Sequence, residues 1–189
     1  MLSKYELELV TNSEVILTKN RIIQKVYALF GELSERYGCE LAGTSSELVA
    51  ISPKISRGEN YLGLPYVMLD QPRIFSRLDV CAIRTFFWWG NFFSITLQLS
   101  GEHLDKYYPV LKSMVEAGEF EGWFISNGAG EWDHHFGQEN YTEIKQGFPI
   151  DEQARFLKIA TKLSLDQWIE AEHFLFTAFK KLLIVLNKD

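Results

Sequence analysis

Hydrophobic positions between Ser13 and Tyr37 recur at intervals of three and four residues, which is the spacing of one face of an α-helix. The preceding Thr11-x-x-Glu14 has the form of a capping box, and Gly38 can adopt the left-handed conformation that ends many helices. The sequence therefore predicts a long N-terminal helix over residues 13–37. Its predicted buried face consists of Val15, Leu17, Ile22, Ile23, Val26, Leu29, Phe30 and Leu33.

The spacing of hydrophobic positions is less regular in residues 38–69. Gly, Ser, Thr and Pro interrupt a short apolar run, Leu48 to Ile51, within the segment 38–60. Because long structureless loops are uncommon in compact domains, we expect either a short strand or a mobile flap in this segment. Residues Tyr61 to Leu69 are predicted to form a strand, and Pro65 indicates an edge or a bulge of the sheet.

The stretch from Val80 to Leu99 is longer than one typical strand and contains Gly90-Asn91 between two apolar runs. This dipeptide is a signal for a two-residue turn, so a β-hairpin is predicted in which position 87 pairs with position 94. In this register Arg84 lies on the apolar face, and the other face is aromatic near the turn. The predicted apolar face consists of Ala82, Arg84, Phe86, Trp88, Phe93, Ile95, Leu97 and Leu99.

A helix is predicted next, over residues Asp105 to Ala117, with Pro109 in its first turn, where a missing N–H group costs little. A second hairpin is predicted from two further segments, Glu121 to Ser126 and Glu131 to Phe136. The turn Asn127 to Gly130 would join them.

Two helices are predicted at the C-terminal end, over Asp151 to Leu163 and over Ser164 to Asn187. Strands joined by tight turns pair in antiparallel fashion, and amphipathic helices cover such a sheet. The predicted fold class is α+β, with an antiparallel sheet of about five or six strands and helices packed on one face. The length favours a single domain, residues 1–189.

Composition narrows the classes of partner. The net charge of −6 argues against nucleic acid, because binding the phosphate backbone requires a basic surface. No apolar run is long enough for a transmembrane helix and no secretory signal is found, so neither a membrane partner nor export is expected. Cys39 and Cys81 make neither a disulfide framework nor a zinc motif, which favours reduced thiols and a cytoplasmic location.

Common catalytic and nucleotide-binding motifs are absent from the sequence, so the catalytic residues are unknown and no cofactor is expected. Cys81 opens an apolar strand and is expected to be a structural thiol. The pair Glu170-x-x-His173 would share one helical face. Di-iron sites use this spacing twice, whereas a single copy favours a solvated helix surface.

Asp133, His134 and His135 form a local cluster beside Trp132. On a strand, consecutive side chains point to opposite faces, so His134 and His135 cannot bind one ion together, and no metal is expected. An acid–base pair made of Asp133 with His134 or His135 is the enzymatic alternative.

Arginine is concentrated in residues 50–100, which carry a net charge of +2 while the remainder of the chain carries −8. The guanidinium fork holds carboxylates and phosphates at two points. Ion pairs of Arg73 with Asp70 and of Arg77 with Asp79 are the structural alternative. A buried Arg84 requires an acidic partner, either a protein carboxylate or a bound anion.

The leading hypothesis is a module that binds an anionic, partly apolar small molecule in an aromatic and arginine-lined pocket between the sheet and a helix. The candidate ligand-binding residues are Arg57, Tyr66, Arg73, Arg84, Trp89 and His134. A structural or regulatory protein with an aromatic subunit interface is a further alternative. A homodimer is expected, because Phe87, Trp89 and Phe92 give the outer face of the hairpin a large apolar area.

Overall fold

An antiparallel sheet of seven strands is found in the computed structural model, which describes residues 1–127 and 130–187. The strands are β1 (Lys54–Tyr61), β2 (Leu64–Phe75), β3 (Val80–Trp88), β4 (Phe92–Ser100), β5 (Phe124–Ser126), β6 (Tyr141–Glu143) and β7 (Phe156–Ser164). Their spatial order is β1-β2-β3-β4-β7-β5-β6, so β4 and β7 are neighbours although they are distant in sequence.

Helices cover one face of this sheet. The first helix, α1 (Lys4–Thr11), is exposed and lies next to α2. The covering helices are α2 (Ser13–Leu41), α3 (Ser46–Val49), α4 (Gly101–Glu116) and α5 (Ala171–Asn187), and a 3₁₀ segment (Leu165–Glu170) precedes α5. Side chains of α2, α4 and α5 form the main core with the odd-numbered positions of β3 and β4. Within the described residues, no helix is long and apolar enough to cross a bilayer.

The α+β class is confirmed, but the sheet has more strands than predicted. The segment 38–60 contains α3 and most of β1, and residues 156–164 form β7 where a helix over residues 151–163 was predicted. That prediction is wrong because β7 lies between β4 and β5, and most of its residues are buried on both faces. Its apolar residues fit two periods, since Leu157, Ile159 and Leu163 alternate as in a strand, while Phe156, Ile159 and Leu163 also have helical spacing.

The bounds of α2 differ from the prediction at both ends. The cap is Asn12, whose side-chain oxygen accepts the N–H of Glu14 at 3.0 Å, while Thr11 belongs to α1. The helix continues through Gly38 to Leu41, which is buried in the core. Val15 and Leu17 were predicted to be buried and are exposed, because the first turns of α2 extend beyond the sheet.

The hairpin at Gly90 is confirmed, but its predicted register is wrong by one residue. Trp88 pairs with Phe92 and Phe87 pairs with Phe93, so the loop has three residues instead of two. Gly90 has a φ angle of +71°, and the Asn91 N–H donates to the Trp88 carbonyl at 3.0 Å, which is a stable alternative loop geometry.

This shift exchanges the predicted partners across the hairpin. Phe87 and Phe93 face the helices, and Arg84 faces the other side of the sheet, opposite Thr96. The aromatic surface on which the homodimer prediction was based is internal, because Phe87 and Phe92 are buried within the chain. A homodimer would therefore need a different contact surface.

The segment between α4 and β7 also departs from the predictions. Helix α4 begins four residues earlier than predicted, so Pro109 lies inside the helix and not in its first turn. β5 pairs with β6 and β7, whereas residues 131–136 form no strand. Phe136 stacks on Tyr141 instead, which holds the segment across the sheet. Two residues of the predicted turn, 128 and 129, lie outside the described residues.

The two cysteines are expected to react very differently. Cys81 is buried, and burial raises its pKa to about 12, whereas Cys39 is exposed on α2. Because the thiolate is the reactive species, a chromogenic disulfide reagent should modify one thiol per native chain quickly and the second only after unfolding. Cys39→Ser should remove the fast phase. Two fast thiols in the native protein would contradict the buried position of Cys81.

Candidate functional site

A buried ion pair lies on the face of the sheet opposite the helices. Asp70 of β2 is paired directly with Arg84 of β3. Nε and Nη2 of Arg84 donate to the two carboxylate oxygens of Asp70 at 2.7 and 3.1 Å, and both side chains are buried. Asp70 therefore supplies the acidic partner that the buried guanidinium requires.

His134 extends this ion pair. Nη1 of Arg84 donates to Nε2 of His134 at 3.1 Å, and the imidazole packs against Phe86 and Tyr61. Burial lowers the pKa of His134 to about 3, and the positive charges of Arg84 and Lys158 act in the same direction. The imidazole is therefore neutral at physiological pH and accepts the hydrogen bond from Arg84.

The segment 130–135 is tethered to the sheet at two points. The Tyr61 hydroxyl oxygen accepts hydrogen bonds from the backbone N–H groups of His134 and His135 at 2.6 and 3.2 Å, and it lies 2.9 Å from Nδ1 of His135. Nζ of Lys158 donates to the carbonyl oxygens of Gly130 and Asp133 at 2.9 and 2.7 Å. These hydrogen bonds hold the segment 130–135 against the sheet.

Acid is expected to destabilise the protein through His134. Between pH 6.5 and pH 3 the unfolded chain binds a proton that the folded chain excludes, so stability falls as the pH is lowered through this window. The expected loss is about 2 kcal/mol between pH 7.5 and pH 5. Urea unfolding at both pH values measures it. His134→Gln should remove most of this pH dependence, while His135→Gln should keep it; equal slopes would contradict the assignment.

The candidate ligand-binding residues predicted from the sequence do not lie together in one site. Arg84 and His134 touch, and Tyr66 adjoins them through Phe86. Arg57 is exposed on the edge strand β1, and Trp89 packs against Phe87 on the helix side. A role for these residues in ligand binding stays a prediction.

The arginines and acids do not form the local ion pairs expected from the sequence. The carboxylate of Asp70 is bound by Arg84, while the half-buried Arg73 has a buried Nε without a hydrogen-bond partner among the described residues. Asp79 accepts the Ser76 hydroxyl at 3.1 Å and the backbone N–H of Glu102 at 3.0 Å.

The carboxylate partner of a histidine also differs from the proposed Asp133. Nε2 of His135 lies 3.1 Å from the carboxylate of Glu139. The backbone carbonyl of Asp133 accepts a hydrogen bond from the ammonium of Lys158. Asp133 therefore helps to hold the segment 130–135 against the sheet.

A groove with a volume of about 420 Å³ lies between the sheet and α5. Its volume is in the range of small-molecule sites. Thr161 and Leu163 of β7 and Ala178 of α5 are buried at its base, and the half-buried rings of Trp123 and Phe174 border it. Besides Thr161, the polar lining residues come from α5 and the turn before it, at helical spacing: Glu170, His173, Thr177 and Lys181.

Lys181 gives one end of the groove a positive charge. Its ammonium lies 5.8 Å from the ring centre of Trp123 and 5.3 Å from that of Phe120, within the range of cation–π attraction. The carboxylate of Glu119, on an exposed side chain, lies 3.9 Å away, at the outer limit of an ion pair. An exposed pair of this geometry contributes little and leaves the ammonium able to bind another anion.

A larger cavity, of about 590 Å³, lies beside β5 and the segment 148–157 and includes Arg155. Most of the residues that line this cavity come from one irregular segment, and the lining is as polar as it is apolar. The groove beside α5 is instead built by a strand and a helix, which position side chains more rigidly than loops do. Its apolar base with few polar groups is also more typical of a ligand site.

Sequence reasoning identified Glu170 and His173 as neighbours on one helical face but missed Trp123, Phe174 and Lys181. The groove exists only because β7 lies beside α5, and β7 was predicted to be helical. The available signal was the series 170, 173, 177 and 181, which continues the Glu170-x-x-His173 spacing along one side of α5.

Comparison of the chain with protein-family models, curated proteins and solved structures finds no match. Function is therefore inferred from the chemistry of the site, since an α+β fold alone does not specify one.

Proposed function

We propose that the protein binds an anionic, partly apolar small molecule in the groove between β7 and α5. The observation that carries this proposal is the half-buried Lys181 side chain at the end of a groove bordered by Trp123 and Phe174. The rings would contact the apolar part of the ligand, and Lys181 would bind its acidic group. The proposal keeps the ligand class expected from the sequence and places it at a different site.

The charges of the groove restrict the ligand further. Glu170 lies about three helical turns before Lys181, so a second negative charge on the ligand would be repelled there. The best ligand is therefore a monoanion with its charge at one end. Thr177, between the two, offers a hydroxyl that can donate or accept a hydrogen bond.

Two features favour this groove over the surroundings of Arg84. The donors of Arg84 already bind Asp70 and His134, so an incoming anion would have to displace a buried carboxylate. Lys181, in contrast, has one weak ionic contact with an exposed side chain. A ligand can replace that contact at little cost.

The proposal is tested by isothermal titration with 4-phenylbutyrate and its uncharged amide. We expect the carboxylate to bind at least about tenfold more tightly than the amide, since a charge-assisted hydrogen bond contributes about 1.5–3 kcal/mol. Lys181→Met should remove this preference. The matched control is Lys180→Met, because Lys180 is exposed, contacts Phe176 and does not line the groove. Equal loss in both variants, or no preference in the parent protein, would contradict the proposal.

A further inference from the structure

The first eighteen residues form an arm that is exposed along its whole length. Every residue of α1 and the first turns of α2, through Thr18, is exposed, and Ile23 is the first residue of α2 to be buried. Large apolar side chains dominate this N-terminal arm. They are Met1, Leu2, Tyr5, Leu7, Leu9, Val10, Val15, Ile16 and Leu17.

The apolar surface of the N-terminal arm is large enough for a protein interface. The nine side chains expose on the order of 1,000 Å², which is comparable with the roughly 800 Å² that each partner buries in a standard interface. Large exposed apolar surfaces on monomers commonly mark interaction sites. We therefore expect the N-terminal arm to be covered by a binding partner.

The direction of the side chains favours a protein over a membrane surface. Val15, Ile16 and Leu17 are consecutive and project about 100° apart around the helix axis, so a flat surface contacts only part of them. Helices that lie on membranes have one apolar face and a basic polar face. Residues 1–21 instead carry three acidic and three basic side chains, with no net charge.

Charge complementarity points to a second copy of the chain. Helix α1 carries Glu6 and Glu8 with one lysine, whereas residues 18–25 of α2 carry three basic residues and no acid. In a two-fold arrangement, α1 of one copy lies across the start of α2 in the other, and the same contact forms twice. Acidic and basic segments then face each other around the apolar centre.

We propose that the protein is a homodimer in which the N-terminal arms of the two copies pack against each other. The α1 helix of each copy packs against the start of α2 in the other, and its glutamates face the basic segment 18–25. The existing ionic contacts of Lys19 with Glu59 and of Arg21 with Glu14 each involve an exposed carboxylate, so they can exchange partners at little cost. This interface is independent of the groove beside α5.

Sedimentation velocity of the full chain at micromolar concentration tests the proposal. The expected species has twice the 21.9 kDa mass of one chain. The double variant Val10→Glu with Ile16→Glu should be a monomer with an unchanged near-ultraviolet circular dichroism spectrum. Leu78→Glu, a matched change at an exposed apolar residue outside the arm, should stay dimeric. A monomeric parent protein, or loss of the dimer in Leu78→Glu alone, would overturn the proposal.

A charge exchange identifies the partner surface. One variant carries Glu6→Lys with Glu8→Lys, and the other carries Lys19→Glu, Arg21→Glu and Lys25→Glu. Each should dimerise at least about tenfold more weakly than the parent, and an equimolar mixture should form mixed dimers by native mass spectrometry. Absence of mixed dimers would overturn the arrangement. Flotation of a monomeric parent protein with phosphatidylcholine–phosphatidylglycerol vesicles would overturn it in favour of a membrane surface.

Discussion

Replacing Asp70 with alanine is expected to lower the free energy of unfolding by about 3–5 kcal/mol, because it leaves the buried guanidinium of Arg84 without its carboxylate. Arginine cannot escape this cost by losing its proton. His134 does not replace the lost partner, since its neutral imidazole carries no negative charge. Equilibrium unfolding in urea at pH 7.5 measures the difference.

Two further variants separate this effect from the loss of any ion pair. Glu59→Ala removes the exposed partner of Lys19 and should cost less than about 1 kcal/mol. The double change Asp70→Leu with Arg84→Met should be markedly more stable than Asp70→Ala, because apolar residues replace both charges. An Asp70→Ala protein as stable as Glu59→Ala would show that Arg84 reaches solvent.

Phe179→Ala is expected to lower the free energy of unfolding by about 3–5 kcal/mol, the usual cost of removing a fully buried aromatic ring. Phe179 lies on α5, and its ring stacks on that of Tyr37 in α2, with ring centres 3.7 Å apart. The cavity left behind would separate the two helices that cover the sheet. Urea unfolding again provides the measurement.

Phe176→Ala is the matched control on the same helix. The Phe176 ring is half-buried, lies 6.4 Å from Tyr37 and is covered on one side by the guanidinium of Arg36 at 3.7 Å. Its loss should cost clearly less, since surrounding groups and water can fill the space. Similar losses in both variants would contradict the placement of Phe179 in the core.

The hairpin at Gly90 shows what the sequence determines and where it stops. The dipeptide Gly90-Asn91 between two apolar runs is a local signal, and it located the turn correctly. The choice between a two-residue and a three-residue loop depends on which face packs against the helices. The loop length therefore depends on tertiary packing and not on the local sequence. Arg84 was predicted to face the helices, but it lies on the opposite side of the sheet, beside Asp70.

β7 shows a second limit. Its residues alternate between the base of the groove, formed by Thr161 and Leu163, and the other face, where Lys158 holds the segment 130–133. The apolar residues Phe156, Ile159, Ala160 and Leu163 also fall at helical spacing. Periodicity therefore did not distinguish this strand from a helix, and the groove beside it was missed.

The N-terminal arm was mispredicted for a related reason. Val15 and Leu17 fit the periodic stripe of α2, and periodicity was taken to mean burial within the chain. The sequence does identify an apolar helix surface, but it does not say which molecule covers it. The covering partner is a property of the assembly, and it cannot be read from the pattern of one chain.

Binding in the groove can be located from the side-chain indole N–H signals of the five tryptophans, in ¹⁵N-labelled protein titrated with 4-phenylbutyrate. Trp123 borders the proposed groove, whereas Trp88 packs in one cluster with Phe86, Trp132 lies near Arg84, and Trp89 belongs to the hairpin loop. We expect the Trp123 signal, assigned with Trp123→Phe, to shift in proportion to binding while the signals of Trp88, Trp89 and Trp132 stay in place. Shifts confined to Trp88, Trp89 or Trp132, or no shift at Trp123, would contradict binding in the groove.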